Sequence, residues 1–292
     1  MNQRSNLPIN KDKLILGAHM SAAGGFAEAL NRVKAIGGNC LQLFSANPRG
    51  WKLAKISGTE AEEFRKQKKE LGIDPVYFHA SYLINLASDG EIGDLSEKSL
   101  IAELDVAKEV GVKGSIIHLG SFKDAVGQVL ERQRESLIGR IKSVLDKTPP
   151  ETLFIIENAG TRKIGQTIEE IAGIVKEVRS KRVRVCLDTC HLHAGGYDLR
   201  ADEKLDIFLE KVDSLFGFDR VELFHLNDSR DPFGSLRDRH ENIGEGEVGR
   251  KVFELLLKNK KTGGLPFIIE TPGFDDDGPD KKNLDILKQM VC

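Results

Sequence analysis

The chain has 292 residues, a formal net charge of −2, and 40% apolar and 30% charged residues, a composition that argues against a disordered chain or a strongly basic nucleic-acid arm. Its four cysteines (Cys40, Cys186, Cys190 and Cys292) are too sparse for a disulfide framework, and Cys186 and Cys190 lack zinc-ribbon spacing, so core packing or a free thiol is the reading. No apolar run is long enough to cross a bilayer and residues 1–13 are polar, so the expectation is a cytoplasmic protein, nucleoid-associated in a prokaryote, with no membrane partner.

In chain order the pattern is strand, turn, helix, repeated. Residues 14–20 read as the first strand, and Gly24 and Gly25 open a helical stretch to about residue 36 that Gly37 and Gly38 close. Residues 40–45 form the second strand, followed by a charged helix over 59–71 that stops at Gly72. Residues 75–80 are the third strand, and an amphipathic helix over 94–110 puts Leu100, Leu104 and Ala107 on one face. Residues 115–120 are the fourth strand, ahead of a helix over about 124–146. Residues 153–158 are the fifth, and Thr167 with Glu170 resembles a capping box for a helix to about residue 179. Strands at 183–188, 221–227 and 266–271 alternate with helices at 205–216, 248–258 and 284–291.

Near-continuous apolar strands alternating with helices imply parallel strands covered on both faces. Eight such units, with no linker or composition break, predict one domain folded as a (β/α)₈ TIM barrel. An open doubly wound sheet is the competing architecture, but it would scatter the ends of strands three to eight.

Those ends carry the chemistry. The apolar runs close in His79, His118, Glu157, Asp188 (with His191 three residues on), His225 and Glu270. The loop after strand seven adds Asp238 and His240, which point the same way if that segment is extended. Five imidazoles and four carboxylates exceed the needs of one zinc. Two or three ions fit if carboxylates bridge, and the nitrogen-rich mixture suits zinc better than magnesium or calcium. A metal cluster at the C-terminal face of the strands is therefore expected. Each residue alone has a plainer reading, as a hydrogen-bonded core histidine or an arginine-paired acid. Together, nine unpaired polar groups in one mouth would be costly to desolvate without a cation. His19 and His193 match no second signal and read as core or supporting residues. Gly244 to Gly249 fits G-x-G-x-x-G, but it follows no strand and carries Glu245 and Glu247, so a turn before a helix is expected.

Several segments resemble the endonuclease IV family of apurinic/apyrimidinic endonucleases: Gly17-Ala18-His19, Ser21-Ala22-Ala23-Gly24-Gly25, His79 to Leu86, Asp188-Thr189-Cys190-His191, Gly196 to Arg200, His225 to Ser229, Asp238-Arg239-His240 and Gly244-Glu245-Gly246. The resemblance implies a TIM barrel with three zinc ions, manganese being an option at one. It places His79, His118 and Glu157 on the first ion, Glu157, Asp188, His225 and Glu270 on the second, and His191, Asp238 and His240 on the third. The implied activity is hydrolysis of the phosphodiester 5′ to an abasic site in damaged duplex DNA, leaving a 3′-hydroxyl and a 5′-deoxyribose phosphate, with 3′-end cleaning as an added activity. Glu157 and Glu270 would be catalytic, acting with a hydroxide that bridges two ions, and the protein would be a monomer. Departures occur at Ala80, where an acid is common, at Leu119, where proline is common, and in a shortened Asn158-Ala159-Gly160 turn. None removes a ligand.

Arg49 and Trp51 after strand two, and Tyr82 and Leu83 after strand three, are suited to fill the gap left by a missing base; the resemblance supports Arg49 and Tyr82 most directly. Lys52, Lys55, Arg230 and Arg237 are phosphate contacts or plain solvated charges. Two other functions compete: a two-metal sugar isomerase on a related barrel, and an inert damage-binding scaffold. The Asp238–His240 pair has no evident task in the first, and the intact ligand set argues against the second.

Overall fold

In a strand every second side chain faces the same way, and here that alternation builds both the lumen and the site above it. The computed structural model describes residues 14–291; the polar stretch 1–13 and Cys292 lie outside the described residues. The strands are β1 (Leu16–His19), β2 (Cys40–Phe44), β3 (Val76–His79), β4 (Gly114–Ile117), β5 (Leu153–Glu157), β6 (Val183–Asp188), β7 (Val221–His225), the short β8 (Asp228–Ser229) and β9 (His240–Glu241), and β10 (Phe267–Ile269). All but β8 and β9 pair in parallel into a closed barrel of order β1-β10-β7-β6-β5-β4-β3-β2. The expected TIM barrel is thus the observed fold.

The lumen holds one layer of fully buried side chains, Cys40, Tyr77, Ile116, Ile155, Cys186, Leu223 and Ile268. Strand β1 contributes only Gly17, whose added Cβ would lie 1.8 Å from the Cys40 carbonyl oxygen. The neighbouring apolar residues of each strand face outward and meet the helices in the main core. Two residues beyond each member of the lumen layer, the same parity points His19, Gln42, His79, His118, Glu157, Asp188, His225 and Glu270 inward. The site is the polar top layer of the barrel interior.

The helices are α1 (Phe26–Ala35), α2 (Gly58–Leu71), α3 (Glu91–Val110), α4 (Gly127–Lys147), α5 (Ile168–Val178), α6 (Thr189–Ala194), α7 (Asp202–Phe216), α8 (Arg250–Lys258) and α9 (Lys281–Met290). Most barrel strands end one to three residues sooner than their apolar runs suggest, because the last residues bend into the loops. Helix α6 and the β8–β9 pair were not foreseen. Thr167 does cap α5 by accepting from Glu170 N at 3.1 Å, but the Glu170 carboxylate turns to Gly165 N at 2.8 Å, so that capping box is half formed. The complete box is Ser57 with Glu60 at the start of α2, and Gly72 in the left-handed region ends that helix. Among the described residues no helix is long and apolar enough to cross a membrane.

One acid lies within the wall. Glu103 of α3 is 5% exposed and accepts hydrogen bonds from Ser45 and Ser115, and burial pushes its carboxyl up to about 7. A carboxyl whose pKa is raised by folding adds stability that is present at low pH and lost as pH rises through the folded value. The shift corresponds to about 3 kcal/mol at most. Glu103→Gln is therefore expected to stabilise the fold at pH 8 relative to wild type and to lose that advantage below about pH 5, read by urea unfolding at the two pH values. An identical pH profile for both proteins would show that Glu103 does not titrate abnormally.

Candidate metal centre

Strand parity accounts for six of the nine predicted ligands, and two local devices bring the rest. Asp188 ends β6 and caps α6: its Oδ1 accepts from His191 N at 3.0 Å. A D-x-x-H run is thus an N-cap with a histidine on the first turn, which turns His191 back over the mouth. The second device is the antiparallel pairing of β8 with β9, with Ser229 opposite His240, which folds the long loop back so that Asp238 and His240 reach the centre. Asp228 fixes that arm. Its buried carboxylate accepts from Ser229, Gly244, Gly246, Val248 and Gly249 N–H groups at 2.9–3.4 Å, so the glycine-rich run is the turn before a helix that the sequence suggested, and the structure adds that it wraps around an internal acid.

The nine residues meet in three sets. His79, His118 and Glu157 form one; Glu157, Asp188, His225 and Glu270 a second; His191, Asp238 and His240 a third; within each set the donor atoms lie within 4.8 Å of one another. Glu157 is fully buried and belongs to two sets. Its Oε2 is 3.2 Å from both His79 Nε2 and His118 Nε2, and its Oε1 is 3.0 Å from His225 Nδ1. His191 Nε2 and Asp238 Oδ1 lie 3.0 Å apart, and His240 Nε2 is 3.4 Å from the same oxygen.

Three of the imidazoles are aimed from behind. His79 Nδ1 faces Ala80 O at 2.8 Å, His191 Nδ1 faces Asn158 O at 2.9 Å, and His240 Nδ1 faces Glu270 O at 3.2 Å. A carbonyl only accepts, so each of these nitrogens carries the proton and donates it. In the neutral ring the other nitrogen then presents a lone pair to the carboxylates. Among the described residues, His191 Nε2 and His240 Nε2 are buried without a hydrogen-bond partner, despite their closeness to Asp238. Lone pairs and carboxylate oxygens converging in a buried space fit a cation. Without one, protons take its place. Burial lowers His191 and His225, but the facing acids outweigh it and raise both well above the ordinary histidine value; Asp188 and Asp238 act on His191, and Glu270, Glu157 and Asp188 on His225. Burial pushes His118 down to about 4 against the pull of Glu157. Burial would raise Glu157 and Glu270, but the imidazoles hold both carboxyls well below their usual range.

The departures fall where the backbone does the work. Ala80 serves through its carbonyl, and Asn158 through its carbonyl and its Oδ1, which accepts from Asp188 N at 2.7 Å. Gly160 is needed for closeness, since a Cβ there would lie 2.8 Å from the His191 ring. Leu119 is buried in the main core. His19, read as a supporting residue, contacts Glu270 at 3.3 Å; His193 faces Asp231 O at 3.2 Å. Two supporting residues were missed. Asn227 donates to Asp188 Oδ2 at 2.6 Å and accepts from Glu270 N at 2.7 Å, tying two ligand strands together. Gln42 joins His225 and Glu270; a polar residue of inward parity in the apolar run Cys40-Leu41-Gln42-Leu43-Phe44 was the available signal.

A cavity of about 400 Å³ opens above the sets, and Tyr82 stands at its edge. Arg49 is exposed, Tyr82 is 61% exposed and Leu83 36% exposed, whereas Trp51 is half-buried and packs on the core. Tyr82 N and Ser81 Oγ both donate to Pro48 O, at 3.1 and 2.8 Å, so the loops carrying Arg49 and Tyr82 form one unit. Arg230 pairs with Glu241 and Arg237 approaches Asp231, while each remains at least 44% exposed.

The family described as xylose isomerase-like TIM barrel matches residues 30–290. The "Probable endonuclease 4" of Thermosipho melanesiensis is 38% identical over 268 residues, which cover 89% of this chain and 93% of that protein. The crystal structure of endonuclease IV from Thermus thermophilus superposes with a TM-score of 0.82 at 32% identity, over 94% of this chain and 98% of that one. A D-tagatose 3-epimerase-like protein superposes with a TM-score of 0.72 at 17% identity, over 94% and 97% of the two chains, a likeness of fold alone. With the clustered histidines and acids indicating a multinuclear metal site, and with relatives this similar over almost its whole length, the chain belongs to the endonuclease IV family.

Proposed function

We propose that the protein is a zinc-dependent apurinic/apyrimidinic endonuclease of base-excision repair that hydrolyses the phosphodiester 5′ to an abasic site in duplex DNA. The observation that carries this reading is the three-fold partition of the nine donors, with the buried Glu157 shared between two sets. His79, His118 and Glu157 would hold one ion, Glu157, Asp188, His225 and Glu270 a second, and His191, Asp238 and His240 a third. Ions bound there lower the pKa of water and neutralise charge on the phosphate and leaving oxygen.

The chain's own residues do the rest. Glu157 would serve two of the three ion positions. Glu270 has its Oε1 engaged by the Gln42 amide, which leaves Oε2 to orient the attacking water. Asp238, the most exposed of the carboxylates at 32%, meets the phosphate side of the mouth. Arg49, Tyr82 and Leu83 enter the gap in the base stack, and an abasic nucleotide leaves that stack at low cost. The same centre suits removal of 3′-blocking groups, which presents the same phosphodiester chemistry.

The test joins metal analysis to a substrate comparison. Unsupplemented protein is expected to carry about three zinc ions per chain, to lose cleavage of an abasic-site duplex on exhaustive chelation and to regain it with zinc. Full activity in a demonstrably metal-free preparation would remove the proposal. A ketose–aldose assay run on the same preparation decides against the sugar isomerase if it stays silent.

A further inference from the structure

Of the eight inward residues in the top layer of the barrel, six belong to the ligand sets, and the other two, His19 and Gln42, come from β1 and β2. Gln42 is fully buried, a cost for an amide unless every polar atom is matched. Its matches are specific. Nε2 donates to Glu270 Oε1 and lies 2.8 Å from His19 Nδ1, and Oε1 lies 2.7 Å from His225 Nε2.

The directions follow from one fixed point. A carboxylate oxygen accepts, so the Gln42 atom beside Glu270 is the amide nitrogen. Its carbonyl oxygen then faces His225, so His225 Nε2 carries a proton and donates it. His225 Nδ1, in contact with Glu157 at 3.0 Å and Asp188 at 3.6 Å, is left with a lone pair for the second set. The second hydrogen of the Gln42 amide meets His19 Nδ1, which accepts. His19 Nδ1 is also 3.3 Å from Glu270 Oε1, but a proton on it would point into the amide N–H group at the shorter 2.8 Å separation. His19 therefore carries its proton on Nε2. That nitrogen has no hydrogen-bond partner among the described residues, and its ring lines both the cavity over the ligands and a second one of about 850 Å³ between the loops after β1 and β2.

We propose that Gln42 is the positioning residue that sets the tautomers of two histidines, presenting His225 Nδ1 to the metal and leaving His19 Nε2–H as a neutral donor to a phosphodiester oxygen of the substrate. The inference rests on the metal-dependent reading above and adds to it two residues outside the nine ligands. It parallels the carbonyls behind His79, His191 and His240, with a side chain in place of the backbone.

The test is a two-bond proton–nitrogen correlation spectrum of the zinc-loaded full chain with ¹⁵N-labelled histidine, which separates the tautomers without any substitution. His225 and His19 are both expected as Nε2–H forms. Gln42→Glu keeps the acceptor for His225 and, with its one carboxyl proton shared with Glu270, removes the donor to His19, so only His19 is expected to move to its Nδ1–H form. Gln42→Leu removes both, and zinc loss to a chelator is expected to quicken about tenfold or more. A wild-type His19 in the Nδ1–H form, or a His19 tautomer unchanged in Gln42→Glu, overturns the assignment, and so does unchanged zinc retention in a folded Gln42→Leu protein. A wild-type chain that takes up no zinc removes the metal reading instead; the His19 tautomer in that chain still decides the role of Gln42.

Discussion

Glu157→Gln is expected to slow single-turnover cleavage of an abasic-site duplex by about a thousandfold or more and to reduce bound zinc. The carboxylate is 0% exposed, and each of its oxygens faces a different group of imidazoles. An amide keeps the shape but offers one acceptor oxygen, and its NH₂ group would face either His79 and His118 or His225. It also removes the one negative charge that the two proposed ion positions would share. Metal ions contribute several kcal/mol to stabilising charge in such reactions, and about 4 kcal/mol is a thousandfold in rate. Rate and metal content should fall together, measured with enzyme in excess over a labelled duplex and by elemental analysis of the same sample. A variant that keeps its metal and its rate would take Glu157 out of the centre. A variant that keeps its metal but loses the rate would make Glu157 a participant in the chemistry and not a scaffold for ions.

Much of this was legible in the sequence for one reason: a strand has period two and a barrel has one mouth. A histidine or acid at the end of each of six apolar runs could only converge if the runs closed into a ring, so fold and site supported each other. The spacing from Asp188 to His191 was visible, but its cause was not. It is an N-cap, and the short helix it starts is too brief to give a periodic signal. The β8–β9 pair was hidden for a similar reason, since two residues a side cannot be told from loop by pattern. Gln42 and Asn227 were passed over because amides are not metal ligands of the expected kind. Their importance lies in which partners they join, Gln42 linking β2 to β7 and β10, and Asn227 linking β6 to β10. Such joins depend on register across the ring, which no single strand contains. At Trp51 residue type suggested a wedge, and the fold leaves the side chain partly buried against the core.

The contrast between Trp51 and Tyr82 leads to the second large expected effect: Tyr82→Ala should weaken binding to an abasic duplex about tenfold to a hundredfold while changing binding to undamaged duplex little. Tyr82 is 61% exposed at the edge of the mouth, with its ring edge-on to Phe44 at 5.3 Å. Its backbone is pinned to Pro48, the residue immediately before Arg49, so the ring is displayed and not loosely held. A planar side chain fixed in this way can take the place of a missing base, and base–aromatic stacking is worth about 1–3 kcal/mol by alanine substitution. Undamaged duplex offers no such gap, and its affinity comes mainly from phosphate contacts made by other residues. Fluorescence anisotropy titrations of paired duplexes at one salt concentration separate the two terms. Equal losses on both would place Tyr82 on the general DNA surface. Trp51→Ala supplies the internal contrast, because a half-buried ring on the core should cost stability on urea unfolding before it costs discrimination between the two duplexes.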